Sequence, residues 1–501
     1  MNGLDRMFLN VESDRLPMDM FGILMLDPST APDGHDYQRF RAELSARIPR
    51  VPVFTRRPVT APFGAGHEHW VIDPDFSVDR HLKHLGVPAP YDLSALCDLA
   101  MSLGNEPMKR DRPLWQMYYV DGLDDGSAAV LIRLHHAAID GVGGTEMLRE
   151  LFDTEALPVN PALAPGAVGG ERVPSQPEML LRSMPDQIVT PIRLVRHGLP
   201  VILPVAKSLL SRLTTTSTAP AAPSTRKPSA APSRSLFNRP TKSPRRSLAV
   251  VSLPMVDMKI VKDRFGVTLN DVVLSITSGA ITDYLRNRDE LPDSPLKVAG
   301  PVNIRDESAE SGSGNHFTFM MVAIPDIADP VERLKTVASM TRNRKPARTA
   351  AGANTTRKPT GAGLGQVMRL IDAIPGGAWV AVRELINSPA VEAIPPITNY
   401  VVSNIPGPTE KLYIAGAQIT NLYGRTMVGA GIGLFIHCLS YGNTLDFGFT
   451  ALAELIPDPD KIAIGMQDQL SKLLRAEHHP PVAKATVVRH DAAKSSTSAP
   501  H

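Results

Sequence analysis

Cysteine is almost missing from this chain. Cys97 and Cys438 are the only two in 501 residues, which excludes a disulfide framework and a cysteine-based zinc site and suits a reducing cytoplasm. Long apolar runs are missing as well. No stretch reaches the roughly eighteen consecutive apolar residues that a bilayer span needs, and the nearest candidate, Gly198 to Leu210, is broken by Pro200, Pro204 and Lys207. The start, MNGLDRMFLNVESD, has no basic segment followed by an apolar core and does not read as a secretory signal. A net charge of +2 gives no overall basic excess for nucleic acid. There is no phosphate-loop lysine motif and no Gly-x-Ser-x-Gly elbow, and Gly429, Gly431 and Gly433 precede an apolar run where a dinucleotide fingerprint would follow one. Nucleotide-binding and serine-hydrolase readings therefore fall away.

What the chain does have is LIRLHHAAIDGVGG at 131 to 144. Ala128 to Leu134 has the length and composition of a buried strand. Alternation along that strand sends His135 and His136 to opposite faces. Asp140 and Gly141 then give a turn before a helical stretch at Thr145 to Phe152, so the carboxylate can brace the corner. Imidazole exchanges a proton near neutral pH, which makes His136 a candidate general base. On residue types alone the pair could equally be packed core histidines or metal ligands, although neighbours that diverge on a strand are poor partners for one ion. A second pair, His478 and His479, sits in a polar, Pro-flanked tail and carries no functional weight.

At this length two domains are the default expectation, and the pattern is mixed α and β. Strands are expected at Phe21 to Leu26, Trp70 to Ile72, Met117 to Val120, Ser247 to Leu253, Lys297 to Ile304, Phe317 to Ile324 and Thr398 to Val402, with three more between Tyr413 and Phe449. Helices are expected at Tyr37 to Ile48, Leu93 to Leu103, Met255 to Arg264, Val331 to Asn343, much of Leu364 to Ile386, and Asp458 to Leu474. Pro346 to Gly363 reads as a mobile loop. Trp115 reads as a core aromatic ahead of its strand. Leu269, Val272, Val273, Ile276 and Ala280 follow helical spacing, which puts Asn270 and Asp271 in a first turn, where helix capping and a role in a site are both open. Ser403 and Asn404 are expected at a strand end; they could donate to an oxyanion or satisfy the IPGP turn that follows. Between Gln187 and Val256 there is no acidic residue but eleven Lys and Arg. A solvated linker, a contact with anionic lipid and an attraction for coenzyme A phosphates all fit that stretch.

The 131 to 144 segment resembles the His-His-x-x-x-Asp-Gly motif of chloramphenicol acetyltransferases and peptide-synthetase condensation domains, and more closely that of the bacterial wax ester synthase/diacylglycerol acyltransferase family. LDRMFLNVESDRLPM at 4 to 18, RPLWQMYYVDGL at 112 to 123, FNRP at 237 to 240, LNDVVLSITSGAI at 269 to 281 and SNIPGP at 403 to 408 follow in that family's order. The resemblance implies an α/β (α+β) fold of two chloramphenicol acetyltransferase-like lobes with mixed sheets flanked by helices. An N-terminal lobe at 1–160 and a C-terminal lobe at 248–477 would be joined by a Pro-rich basic crossover at 161–247, with a tail at 478–501. It also implies acyl transfer from a long-chain acyl-CoA to the hydroxyl of diacylglycerol or a long-chain alcohol, with no cofactor beyond the acyl-CoA co-substrate. His136 would be the base, with His135, Asp140, Gly141, Asn270 and Ser403 in support. The expected setting is cytoplasmic, with peripheral contact at an anionic membrane or lipid droplet. Rival readings are a non-catalytic lipid-coating protein of the same fold, a metal-dependent hydrolase and an acyltransferase fed by a carrier protein. Two departures from the family pattern stand out: Pro17, Met18 and Asp19 where Pro-Met-His is common, and Ala451 to Glu454 where an aspartate is usual. Both are expected to lie away from the histidine motif.

Overall fold

The computed structural model describes residues 1, 3–60, 68–138, 147, 150–157, 170–181, 234–241, 243–303, 317–342, 374, 378–388, 396–429 and 431–476. Asp140, Gly141, the Pro346–Gly363 loop, the 478–501 tail and most of the 161–247 crossover lie outside them, as does the 364–386 stretch apart from Ile374 and the helix Ala378–Ile386.

Helix α1 (Gly3–Val11) leads into strand β1 (Asp19–Asp27), helix α2 (Tyr37–Arg47), the hairpin β2 (Arg56–Val59) and β3 (His69–Ile72), and strand β4 (Leu82–Gly86). Helix α3 (Leu93–Leu103) follows, then β5 (Trp115–Asp121) and β6 (Ala128–His135). Asp92 caps α3 by accepting the Ala95 N–H at 2.8 Å, which satisfies a donor that the helix leaves free. The second half runs through β7 (Arg246–Pro254), α4 (Met255–Phe265), α5 (Leu269–Arg286), β8 (Leu296–Asn303), β9 (Phe317–Ile324), α6 (Pro330–Arg342) and α7 (Ala378–Ile386). It closes with β10 (Tyr400–Ile405), β11 (Tyr413–Ile414), β12 (Ala417–Arg425), β13 (Leu434–Tyr441), β14 (Thr444–Leu452) and α8 (Asp460–Arg475).

These strands form two six-stranded mixed sheets, ordered β11-β12-β1-β6-β5-β4 and β7-β14-β13-β10-β8-β9. β6 is central and covered on both faces. Ala129 and Leu131 pack with Leu96 and Ala100 of α3, while Val130 and Ile132 pack with Phe40 and Leu44 of α2. A strand buried on both sides needs a continuous apolar run, which is what its sequence supplies. The second sheet packs on α4, α5 and α8 through Phe447, Phe449, Val272, Ile276, Met466 and Leu470.

The two sheets do not divide at one point in the chain. β11 and β12 come from the second half but belong to the first sheet, with Phe21 opposite Arg425 and Gly22 opposite Gly424. Where β12 crosses the second sheet the backbones nearly touch: a Cβ on Gly448 would lie 2.0 Å from the Gly424 carbonyl oxygen. Glycine is required there by space. The crossing is also tied by Asp446, which accepts the Leu422 N–H at 2.7 Å and the Ser252 hydroxyl at 2.6 Å.

Candidate active site

β6 delivers the histidine pair. Its last residue, His135, lies opposite Asp19 of β1 and donates its N–H to the Leu114 carbonyl at 3.0 Å. The strand ends there, and His136 opens a 3₁₀ turn through Ala138, its N–H held by the Met18 carbonyl at 2.7 Å. The two side chains thus differ because the backbone changes form between them, where strand alternation through both was expected.

His135 is 1% exposed. Its Nδ1 accepts the Ala137 N–H at 3.0 Å, which in the neutral ring leaves the proton on Nε2, and Nε2 faces Glu12 Oε1 at 3.4 Å. Arg110 donates to the other Glu12 oxygen at 3.0 Å. Burial would raise the Glu12 pKa, but His135 and Arg110 outweigh it and hold the carboxyl below its usual range. His136 is partly buried, its ring against Phe8 with centroids 4.1 Å apart. Burial pushes its pKa down to about 4, so the ring is neutral at pH 7. Its Nδ1 is buried with no hydrogen-bond partner among the described residues.

The Pro17-Met18-Asp19 departure lies against the motif, contrary to the expectation from sequence. Met18 holds the His136 amide, and Asp19 pairs across from His135. Asp19 is 1% exposed and sits between two guanidinium groups, accepting from Arg133 Nε at 2.6 Å and Arg425 Nη1 at 2.8 Å. Burial alone would raise its pKa; the two arginines reverse that and lower it. Phe21 lies beneath both cations, at 5.7 and 5.1 Å.

The other expected site residues are placed as follows. Asn270 falls in the first turn of α5, as its spacing suggests; its neighbour Asp271 closes a capping box with Thr268 and accepts from Thr341 at 2.6 Å. Ser403 lies within β10, opposite His437 of β13, and the strand continues to Ile405, so Ser403 and Asn404 are not at a strand end. The apolar run ends before the strand does, because β10 continues through Ser403 and Asn404 in parallel pairing with β13. Among the described residues no hydrogen bond links Asn270 or Ser403 to either histidine. Trp115 is core, its Nε1 donating to the Phe54 carbonyl at 2.8 Å. Among the described residues no group of three His, Cys, Asp or Glu side chains is placed to hold a metal ion.

Sequence reasoning missed Glu12, Asp19, Arg133 and Arg425 as parts of one assembly. Glu12 and Asp19 flank the same short segment, and only the pairing of β1 with β6 and β12 shows what they meet. A cavity of about 780 Å³ opens beside this assembly, bounded by Glu12 and Arg133 from the first half and Arg246 and Arg383 from the second. Neither histidine lines it; Glu12 connects it to His135.

Comparison with known proteins gives a consistent result. A family model described as the wax ester synthase/diacylglycerol acyltransferase catalytic domain matches residues 1–273, and one described as the WS/DGAT C-terminal domain matches 313–474. The Mycobacterium tuberculosis protein Rv1760, named as a diacylglycerol O-acyltransferase, is 31% identical over 489 residues, covering 96% of this chain and 91% of its own. Another from the same species, tgs2, similarly named, is 28% identical over 485 residues, covering 94% and 98%. Among solved structures, the wax ester synthase/diacylglycerol acyltransferase from Marinobacter aquaeolei VT8 aligns with a TM-score of 0.61 at 20% identity, over 94% of this chain and 98% of that one. The first condensation domain of the calcium-dependent antibiotic synthetase, in complex with a substrate analogue, aligns at 0.50 and 12% identity over 94% and 93%. These two likenesses are of fold.

Proposed function

This chain belongs to the wax ester synthase/diacylglycerol acyltransferase family, and from that premise we propose that it is a diacylglycerol O-acyltransferase, transferring a long-chain acyl group from acyl-CoA to the free hydroxyl of diacylglycerol. Long-chain alcohols, giving wax esters, are the second acceptor class.

The observation that carries the assignment of roles is the different fate of two adjacent imidazoles. His135 is buried, accepts the Ala137 amide through Nδ1, and has Nε2 3.4 Å from the Glu12 carboxylate. His136 is neutral, only partly buried on its turn, and its Nδ1 has no partner among the described residues. In this reading His136 accepts the acceptor's hydroxyl proton as the oxygen attacks the thioester carbonyl. The tetrahedral intermediate collapses with cleavage of the C–S bond, and the imidazolium returns the proton to the departing thiolate. A pKa near 4 makes the resting ring a weak base. The negative charge that develops on the intermediate raises that basicity when it is needed. Glu12 and His135 hold the turn that presents His136, and Asp140, Asn270 and Ser403 are supporting residues by family resemblance. Both reactants partition into lipid, so the protein is expected to work on the cytoplasmic side at a membrane or droplet surface. The acid-free stretch between Gln187 and Val256 supports that contact.

Labelled palmitoyl-CoA offered with dioleoylglycerol and a panel of long-chain alcohols tests the reading. Labelled triacylglycerol from the wild-type protein is the expected product. Absence of any ester, with the protein folded and the thioester intact, would overturn it.

A further inference from the structure

We propose that the cavity between the two halves of the chain is a subsite for the phosphate-bearing part of the thioester donor, with Arg246 as its buried cation; this rests on the acyltransferase reading above. Four arginines line the cavity, and three already have a carboxylate. Arg133 is paired with Asp19, Arg110 with Glu12 and Arg383 with Glu384. Arg246 is different. It is 9% exposed, donates through Nη1 to the Pro244 carbonyl at 2.6 Å and through Nη2 to the Arg15 carbonyl at 3.0 Å, and its Nε is buried with no acceptor among the described residues. Among the described residues no carboxylate pairs with it.

A buried guanidinium without a counter-ion is unfavourable, and here burial and the nearby Arg425 bring its pKa down to about 10. An anion entering the cavity would supply the missing partner. Phosphate oxygens suit a guanidinium, whose N–H groups are held in a fixed planar fork. The volume, about 780 Å³, is that of a small-molecule site. Of the carboxylates that line it, Glu12 and Glu384 are engaged by arginines, and Asp14 and Glu106 are exposed and free to turn to water. Diacylglycerol and long-chain alcohols carry no charge. The anion of this reaction is therefore on the donor. Glu12, in the cavity wall, lies 3.4 Å from His135, so the cavity adjoins the histidine motif, and the pantetheine arm of a donor held by its phosphates would span the distance to the reacting carbonyl.

The test compares palmitoyl-CoA with palmitoyl-pantetheine, which has the same thioester but no phosphates, in the wild-type protein, R246Q and the rim variant R383Q. Calorimetric titration of free coenzyme A runs alongside. R246Q is expected to lower kcat/KM for the CoA thioester about tenfold more than for the pantetheine thioester, through KM, and to weaken coenzyme A binding by a similar factor, the loss expected for a hydrogen bond to a charged group. R383Q should shift both in the same direction by less, and its side chain, partly exposed on the cavity wall, makes it a variant that folds. Equal losses on both donors, or coenzyme A binding unchanged in both variants, would overturn the subsite. Phosphatidic acid vesicles protecting the cavity while coenzyme A does not would also overturn it, since the phosphate would then be a lipid's. If acyl transfer itself is wrong, neither thioester turns over; the coenzyme A titration still reads the cavity.

Discussion

Each of the two sheets buries an aspartate, and each has on or next to one of its strands an imidazole of lowered pKa; the two pairs are built in opposite ways. In the first, Asp19 lies between two guanidinium groups and its pKa falls. In the second, Asp446 has only neutral donors, Ser252, Leu422 and Asn421, and burial raises its pKa. His136 and His437 are both pushed to about 4 by burial. His136, however, sits on a turn beside paired charges, whereas His437 is wedged under Gly424, where a Cβ would come within 2.4 Å of its Nδ1. A low pKa alone thus assigns no role to an imidazole, and the two differ in their surroundings.

The largest expected effect tests the imidazoles. His136→Ala should reduce kcat/KM by about 10²- to 10⁴-fold, the usual contribution of a general base, with an unchanged unfolding midpoint, while His437→Gln should lower it by far less. Equal losses would erase the contrast. The activity that depends on His136 should also persist well below neutral pH and fall only near its pKa of about 4, as the ring takes up a proton and can no longer accept one; a pH profile of kcat/KM reads this directly.

The carboxylates come next. Asp19→Ala leaves two buried guanidinium groups without their anion and should cost about 3–5 kcal/mol in denaturant unfolding. Asp446→Asn keeps the volume and removes a poorly compensated charge, but turns one of two accepting oxygens into a donor; the two effects offset, and a change within about 1 kcal/mol is expected. Their pH dependence has opposite sign. Asp19, with a folded pKa below its unfolded value of about 3.9, stabilises above that pH and loses the contribution as pH falls further. Asp446, with a raised folded pKa, is best tolerated below about pH 3.9 and becomes a growing cost as pH rises from there towards its folded value, levelling off above it. The stability of Asp446→Asn relative to the wild type should therefore improve as pH rises above about 4, whereas the deficit of Asp19→Asn should shrink on acidification.

A smaller effect refines the first contrast. Glu12→Gln retains an acceptor for His135 Nε2–H but removes the charge, and should lower kcat about tenfold with little change in KM. A change confined to KM would move Glu12 from positioning the turn to binding substrate.

Local pattern made much of this readable before any coordinates. Leu93 to Leu103 is helical over the expected residues, and the apolar run ending at Leu134 is the central strand, one residue longer. Asn270 and Asp271 fall in a helix's first turn because apolar spacing fixes that face. What could not be read is pairing at long range. Nothing in residues 413 to 425 indicates that they complete a sheet begun near residue 19, and for that reason the Pro17-Met18-Asp19 departure looked remote from the histidines that it in fact touches. Composition puts Ser403 at a strand end, whereas β10 runs on to Ile405, because strand length follows partners as well as composition.

The late arrival of β12 bears on how this protein is made. Until residue 425 has left the ribosome, β1 has a row of unpaired main-chain groups along one side, and Asp19 lacks one of its two cations. A chain stopped short of that point would keep its histidine motif yet expose a ready template for association with other chains. Truncations ending between residues 273 and 413 should accordingly precipitate on expression, even though they contain every residue of the His-His-x-x-x-Asp-Gly motif.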